Sequence, residues 1–548
     1  MNDIEISRQC VKKNIYEVGE SLGLTEEDLI PYGEYKAKIK YNNIMGSTKG
    51  KLILVTAINP TPFGEGKTTV TIGLVDSLNH IGEKSVGVLR EPSLGPVFGL
   101  KGGATGGGYS QVVPMEDINL HFTGDLHAIT SANDLISAAI DNHIYNGNEL
   151  NIDPRTITFK RCLDVNDRSL RRTWTEIKEG LTLETGFDIT AASEVMTTFC
   201  LSENLHELKT NLGNIIVARN IYGVPIKVSD LKLEGALTVL LKDAFNPNLV
   251  QTLEKNPIII HGGPFANIAH GCNSLVATNL ALKLSDYVVT EAGFGSDLGA
   301  EKFIDIKCRK GGFKPDCIVL TATIRALKYN GGCPKEEVSE GNIGYVVKGL
   351  PNLEVHIDNL LKFTKNVIVV LNKFKTDTDE EIELVKNICQ EKGVEFSVSE
   401  TYLKGGFGGV GLAYKVKEIC ERDGEFKMLY DVNSPIVNKI ETICKEIYHA
   451  GTISYTQKAI DSIKYINEIE EYDLPICIAK TQYSISDDPK KLGFPRDYEI
   501  TVRDVEVRTG SGFIIVYLGK ILTMPGLPKV PNYESIDLDD EGNIVGIF

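Results

Sequence analysis

The sequence lacks the features that identify membrane-spanning, zinc-binding and disulfide-bonded proteins. No uninterrupted apolar stretch approaches the ~20 residues that a membrane-spanning helix needs. The eleven cysteines are scattered and no Cys-x-x-Cys pair occurs, which indicates reduced thiols rather than a disulfide framework or a zinc site. The start, Met1-Asn-Asp-Ile-Glu, has no basic head followed by an apolar core. We therefore predict no secretory signal and a cytoplasmic location.

The sequence also has fewer positively than negatively charged residues. The 58 lysines and arginines are outnumbered by 74 aspartates and glutamates, which leaves a formal net charge of −16. An acidic chain is a poor electrostatic match for nucleic acid or for an anionic membrane, so we expect neither as a partner. A local basic pocket for a small anion is still compatible with this charge.

The length of 548 residues allows several domains, and the sequence pattern changes towards the C-terminus. Residues 374–470 contain Glu- and Lys-rich, helix-like stretches, whereas the chain after Tyr472 shows short apolar runs and Pro/Gly turns. We predict soft boundaries near residues 360 and 475. They divide the chain into segments 1–360, 361–475 and 476–548.

Glycine is abundant, and its placement indicates the fold class. Many of the 52 glycines follow short runs rich in Val and Ile. The clearest runs are Lys51–Ile58, Pro257–His261, Tyr287–Thr290 and Asn366–Leu371. Such runs, followed by loops and helical patterns, are typical of βα units around a parallel sheet, so we predict an α/β protein. Ligands of such sheets bind beyond the carboxyl ends of the strands, where these loops lie.

The strongest single motif follows the first of these runs. It reads Thr61-Pro62-Phe63-Gly64-Glu65-Gly66-Lys67-Thr68-Thr69 and precedes a predicted helix over Thr68–Asn79, the context that a phosphate-binding loop requires. We expect its backbone N–H groups to surround phosphate oxygens, Lys67 to contact the β- and γ-phosphates and Thr68 to bind Mg²⁺. The standard motif has glycine where Thr61 stands, so the loop is a variant. An ordinary glycine-rich βα turn is the alternative.

A second glycine-rich segment follows Arg90. Seven glycines fall between residues 95 and 108, and Arg90 itself follows the apolar run Ser85–Leu89. Arg90 should therefore emerge at the same sheet edge as the phosphate loop. A guanidinium fork suits a carboxylate or a phosphoryl group, so Arg90 and Lys101 are candidate ligands of a small anion. A mobile surface loop is the alternative.

His121, Asp125 and His127 follow this segment closely. Spacings of four and six residues do not make a good metal site, and no third ligand is evident. A lone histidine is more often structural than catalytic, so neither histidine is favoured as a base.

Together these segments resemble the formate–tetrahydrofolate ligases over essentially the whole chain. One family signature is similar to Gly99–Tyr109, although Thr105 stands where alanine is commoner. A second is similar to Thr321–Gly332, with Thr321 at a usual valine, and the tail beginning at Thr523 is also similar. Arg325 and Lys328, within the second signature, are expected to be structural.

The resemblance implies ATP-dependent ligation of formate to tetrahydrofolate through formyl phosphate, with 10-formyltetrahydrofolate, ADP and phosphate as products. It implies a parallel-sheet, P-loop NTPase-like domain for nucleotide and formate within residues 1–360, and folate-binding loops within 361–475. A strand-rich segment would complete the chain. It also implies a homotetramer, dependence on Mg²⁺ and activation by a monovalent cation such as K⁺ or NH₄⁺.

Particular residues match the positions of the family's functional groups. Lys67 matches the phosphate-loop lysine, and Arg90 matches the arginine that binds formate and formyl phosphate. Asp125 is similar to the acidic residue near the folate amine, where it would assist proton removal. Phe294 matches a segment near the nucleotide and would pack on the adenine.

Two further residues, Phe374 and Tyr402, match the aromatic loops that hold the pterin. Lys375 stands where proline often follows the first aromatic, and Tyr402 stands where tryptophan is commoner. We expect these departures to affect folate affinity more than the type of reaction.

Two other classes of protein remain alternatives. A nucleotide-driven switch is suggested by Asn372-Lys373 after an apolar strand, but Lys375 occupies the place of the aspartate that guanine recognition needs. A different ATP-dependent ligase that activates a carboxylate, such as a biotin-pathway synthetase, would share the phosphate loop. Neither alternative accounts for the two long signatures.

Overall fold

The computed structural model describes residues 2–99 and 105–547, and within this part of the chain a twelve-stranded sheet is the central element. The main path of the sheet runs in the order Leu29–Pro31, Ala37–Ile39, Asn248–Thr252, Pro257–Ile260, Ser85–Leu89, Tyr287–Glu291, Lys51–Ala57, Cys317–Ala322, Val367–Asn372 and Glu395–Ser399. Off this path, Ser110–Val113 pairs with Asn248–Thr252, and Gly106–Gly107 pairs with Ser110–Val113.

Seven neighbouring strands of the described sheet, from Pro257–Ile260 to Glu395–Ser399, run parallel. Their side chains alternate between two cores, as in Lys51–Ala57, where Leu52 and Leu54 face one core and Ile53 and Val55 the other. A strand buried on both faces must be apolar throughout, which explains the continuous Val/Ile/Leu runs in the sequence. The predicted α/β fold with a large parallel sheet is confirmed.

Helices cover both faces of this sheet. Lys67–His80 and Val410–Cys420 contribute to the core on one face. The core on the other face receives side chains from Leu275–Leu284, Ile324–Asn330, Ile343–Leu361 and Asp379–Glu391.

The other described α-helices and strands lie outside the twelve-stranded sheet itself. The helices are Asp3–Gln9, Ile15–Ser21, Leu94–Phe98, Met115–Asn119, Asp125–Tyr145, Glu194–Cys200, Leu205–Asn214, Glu234–Leu241, Arg309–Gly311, Thr401–Lys404, Ile436–Glu446 and Gln457–Glu468. The strands are Arg161–Cys162, Thr173–Lys178, Leu181–Thr185, Phe187–Asp188, Ile216–Arg219, Pro225–Lys227, Thr452–Tyr455, Ile476–Ala479, Glu499–Val502, Asp504–Arg508, Phe513–Tyr517, Asp537–Leu538 and Ile544–Val545. None of the described helices is long and apolar enough to cross a membrane.

The elements predicted around the phosphate motif lie where the sequence pattern places them. The predicted helix Thr68–Asn79 is observed as Lys67–His80, and the run Ser85–Leu89 is a strand with those bounds. The sheet itself continues through Val367–Asn372 and Glu395–Ser399, so it crosses the boundary that we predict near residue 360. The division into three domains stays a prediction.

A buried ion pair ties the C-terminal segment to the sheet edge. The Nζ atom of Lys480 lies 2.8 Å from Oδ2 of Asp297, and both side chains are fully buried. The other oxygen of Asp297 accepts a hydrogen bond from Nδ2 of Asn59 at 3.3 Å, in the turn that leads to the phosphate loop. The pair therefore supports the base of that loop.

We predict that Lys480→Met destabilises the protein by about 3–5 kcal/mol, because it leaves the Asp297 carboxylate buried without its cation. Lys386→Met is the matched control. Lys386 pairs with Glu383 on an exposed helix face, so its loss should cost about 1 kcal/mol or less. Urea unfolding followed by circular dichroism measures both. Equal shifts in the two variants would contradict a structural role for the buried pair.

Candidate active site

The candidate residues meet because parallel neighbouring strands place their carboxyl ends at one edge of the sheet. Six of the seven parallel strands are each followed there by a loop or helix that carries one of them. Thr61 follows Lys51–Ala57, Arg90 follows Ser85–Leu89, Phe294 follows Tyr287–Glu291, Arg325 follows Cys317–Ala322, Phe374 follows Val367–Asn372 and Tyr402 follows Glu395–Ser399.

The phosphate motif forms a compact turn that opens directly into a helix. Gly66, at φ 74°, is the N-cap of Lys67–His80. Within the loop, Oε1 of Glu65 accepts a hydrogen bond from the backbone N–H of Thr61 at 2.6 Å, and the Gly64 N–H donates to the carbonyl of Thr61 at 3.2 Å. The first N–H groups of a helix have no partner within it, and together with the helix dipole they attract anions. This geometry suits phosphate binding by the loop.

Thr68 lies beside a carboxylate from the neighbouring strand. Its hydroxyl donates to Oε2 of Glu291 at 2.9 Å, and Glu291 ends the strand Tyr287–Glu291. A hydroxyl and a carboxylate side by side form the kind of oxygen donor set that holds Mg²⁺ together with nucleotide phosphates. The sequence analysis does not single out Glu291. The signal available was an acidic residue at the end of an apolar run.

Arg90 lies on the other side of the same strand. Its Nη1 donates to the carbonyl of Pro264 at 3.2 Å. A Cβ at Gly293 would lie 3.1–3.2 Å from the two terminal nitrogens of Arg90 and 2.5 Å from Cβ of Ala266. Gly293 therefore leaves room for the guanidinium between two loops, beyond the strand next to the phosphate loop.

A cleft of about 770 Å³ joins the phosphate loop to both predicted folate loops. It is lined by Pro62, Phe63, Gly64, Gly66, Thr69, Gly106, Arg325, Asn372, Lys373, Phe374, Lys375, Tyr402 and Leu403. Asn372 bridges the two sides, because its Nδ2 donates to the carbonyl of Glu65 at 3.3 Å. The structure thus brings Phe374 and Tyr402 close to the phosphate loop, although more than 300 positions of sequence separate each of them from that loop.

Arg325 is a cleft residue that the sequence analysis expected to be structural. Its guanidinium carbon lies 4.1 Å from the centre of the Phe374 ring, within the range of a cation–π contact. Lys328, from the same helix, is buried and forms an ion pair of 2.7 Å with Glu381, as expected of a structural residue. Arg325, Lys373 and Lys375 give the cleft a positive lining.

Two other candidates, Asp125 and Phe294, are not among the described residues that line this cleft. Asp125 begins the helix Asp125–Tyr145, is 1% exposed and lies 2.7 Å from the Nζ atom of Lys38. Nδ2 of Asn248 also donates to its carboxylate at 2.8 Å. Phe294 is half-buried, with φ 63°. Lys101 lies outside the described residues.

No sequence signal marked Lys38 as the partner of Asp125. The two are 87 residues apart in the sequence. His121 and His127 are exposed on either side of Asp125. Within the described ranges, no group of three or more His, Cys, Asp or Glu side chains is placed to hold a metal ion. Magnesium needs no such group when phosphates supply part of its coordination.

Comparison with known families yields a match over the whole chain. The sequence model of the family described as formate–tetrahydrofolate ligase matches residues 1–548. The match therefore extends over the phosphate loop, the cleft and the C-terminal strands alike.

We predict that Gly66→Ala weakens ATP binding about five- to tenfold more than Gly64→Ala. Both glycines have positive φ, at 74° and 73°, so both variants carry similar backbone strain. Only at Gly66 would the new Cβ meet another group, Nδ2 of Asn372 at 2.2 Å, and break its bond to the loop. Calorimetric titration with Mg-ATP measures the difference. Equal weakening in the two variants would show that the Asn372 contact is unimportant.

Proposed function

Because the chain belongs to the formate–tetrahydrofolate ligase family, and is thus an enzyme that ligates formate to tetrahydrofolate with ATP, we propose that its reaction passes through formyl phosphate formed beside the phosphate loop. The observation that carries the proposal is the continuous cleft between the phosphate loop and the loops of Phe374 and Tyr402. One sheet edge would then serve both half-reactions.

In the first half-reaction, an oxygen of formate attacks the γ-phosphorus of ATP and ADP leaves. Formate is an anion and a poor electrophile, whereas its mixed anhydride with phosphate has a good leaving group. The P-loop NTPase-like segment Thr61–Thr69 would hold the phosphates, with Lys67 on the β- and γ-phosphates. Arg90 would bind formate and then the formyl phosphate, because a guanidinium matches the geometry of both anions.

In the second half-reaction, N10 of tetrahydrofolate attacks the formyl carbon, the C–O bond to phosphate breaks and N10 loses a proton. Phe374 and Tyr402 would hold the pterin, with Arg325 on the opposite face of the Phe374 ring. Asp125 stays our predicted proton acceptor. A proton accepted by Asp125 would neutralise the carboxylate that is paired with Lys38. Phe294 stays a prediction for adenine contact.

The residues present fit a magnesium ion. The donor set is the hydroxyl of Thr68 and the carboxylate of Glu291, which lie in contact. Bound there, Mg²⁺ would offset the negative charge of the nucleotide phosphates. Thr68 and Glu291 would position the loop and its phosphates relative to Arg90.

Two further properties are proposed from the resemblance alone. They are the homotetramer and the activation by K⁺ or NH₄⁺.

The match to this ligase family over the whole chain excludes the two alternative hypotheses, a nucleotide-driven switch and a different carboxylate-activating ligase.

We predict that Arg90→Ala lowers the rate of formate activation about 100-fold or more, because a charged group on the reacting oxygens is lost. The assay supplies ¹⁸O-labelled formate. Since the formate oxygen attacks phosphorus and the C–O bond later breaks, the label appears in the released phosphate. Wild-type protein that forms 10-formyltetrahydrofolate without labelling phosphate would contradict the formyl phosphate step.

Arg422→Ala is the matched control for this measurement. Arg422 forms exposed ion pairs with Glu395 and Glu418, so its loss should leave the labelling rate within about twofold of wild type. The affinity of Arg90→Ala for ATP should be nearly unchanged. An Arg90→Ala variant with wild-type turnover would remove Arg90 from the mechanism.

We predict that Thr68→Val and Glu291→Gln each raise the Mg²⁺ concentration for half-maximal activity about tenfold. The first variant loses an oxygen ligand, and the second loses the negative charge of a ligand. Thr71→Val is the control. The hydroxyl of Thr71 donates to the carbonyl of Lys67 in the same helix. Activity titrated with MgCl₂ at saturating substrates measures the effect. An unchanged requirement in both variants would place Mg²⁺ elsewhere.

A further inference from the structure

Tyr402 differs from Phe63 and Phe374, the other aromatic residues that line the cleft, in having a polar group that reaches outside the cleft. It lies in the short helix Thr401–Lys404, lines the cleft and is 45% exposed. Its hydroxyl donates to Oδ1 of Asp3 at 3.3 Å. Asp3 is the first residue of the helix Asp3–Gln9, so the N-terminal segment contacts the rim of the candidate folate site.

Asp3 is held in place by a hydrogen bond to its side chain and by the packing of its helix. Its Oδ1 accepts the backbone N–H of Gly108 at 3.0 Å. The next residue, Ile4, is buried in a small core with Val97, Met115 and Ile547. The helix begins in a capping box between Asn2 and Glu5. Asp3 thus offers a fixed acceptor to the phenol.

The ring of Tyr402 lies against the hairpin formed by the strands Gly106–Gly107 and Ser110–Val113. A Cβ at Gly108 would lie 2.9 Å from Cδ2 of Tyr402 and 2.1 Å from its carbonyl oxygen. A Cβ at Gly107 would lie 3.2 Å from Cε2. The N–H of Tyr109 donates to the carbonyl of Tyr402 at 2.8 Å. These glycines are required by the close approach of the ring, which leaves Tyr402 held on one side and exposed on the other.

We propose that Asp3 is a positioning residue for tetrahydrofolate, which orients the ring of Tyr402 through the bond between phenol and carboxylate. The inference rests on the proposed role of Tyr402 in holding the pterin. A stacking surface that is oriented before the ligand arrives avoids the entropy cost of ordering the ring on binding. Burial and the nearby Asp3 carboxylate raise the pKa of the Tyr402 phenol, so the hydroxyl keeps its proton and donates at neutral pH.

The test is a double-mutant cycle on the intact enzyme. Asp3→Ala and Tyr402→Phe should each raise the KM for tetrahydrofolate about three- to tenfold, the effect of losing one hydrogen bond to a charged group. The double variant should match the single variants, because each removes the same bond. The KM for ATP should change little in all three. Additive effects, or an unchanged KM for tetrahydrofolate in Asp3→Ala, would overturn the proposal.

Two further variants separate positioning from general support of the helix. Glu5→Ala removes the capping box of the same helix but leaves the Asp3 carboxylate in place, and should leave the KM for tetrahydrofolate near the wild-type value. Asp3→Asn keeps an oxygen that can accept from Tyr402 and Gly108, and should restore most of the affinity lost in Asp3→Ala. A rise in Glu5→Ala equal to that in Asp3→Ala, or no rescue by Asp3→Asn, would contradict the proposal.

Tyr402→Ala distinguishes this proposal from the proposed function. If Tyr402→Ala raises the KM for tetrahydrofolate but Asp3→Ala does not, Tyr402 holds the pterin and the positioning by Asp3 is wrong. If Tyr402→Ala leaves that KM unchanged, the assignment of Tyr402 to the pterin is wrong and the inference about Asp3 is overturned with it.

Discussion

The hydrogen bonding of seven parallel strands is the constraint on which the site depends. Parallel pairing places every carboxyl end at one edge of the sheet, so loops that are far apart in the sequence meet there. The strand Tyr287–Glu291 has the central place, because it lies between Lys51–Ala57 and Ser85–Leu89. Its Glu291 contacts the phosphate-loop helix, and the Gly293 that follows leaves room for Arg90.

Electrostatics gives the site a second constraint. ATP, formate and tetrahydrofolate are all anions, whereas the chain has a formal net charge of −16. Binding must therefore depend on local cations and on backbone N–H groups. Arg325, Lys373 and Lys375 supply positive charge in the cleft, and the phosphate loop supplies the N–H groups of a helix N-terminus.

Local patterns predicted the parts of the structure that depend on neighbouring residues. The apolar run at Ser85–Leu89 and the motif Thr61–Thr69 each depend on interactions within a few positions, so strand, loop and helix could be recognised from the sequence. The contacts of Glu291, Arg325 and Lys38 could not be predicted, since each joins residues that are distant in the sequence. A charged residue has no local pattern that names its partner.

The amino-acid sequence by itself determined the α/β class, the strand, turn and helix around Thr61–Thr69 and the ligase family, because apolar periodicity, glycine placement and long signatures are properties of the chain order. Only the tertiary structure decided which side chains share the cleft and which are buried in ion pairs. Asp125 contacts Lys38, and Tyr402 contacts Asp3, across 87 and 399 positions. Such pairs depend on the packing of whole elements around the sheet, which no stretch of sequence encodes alone.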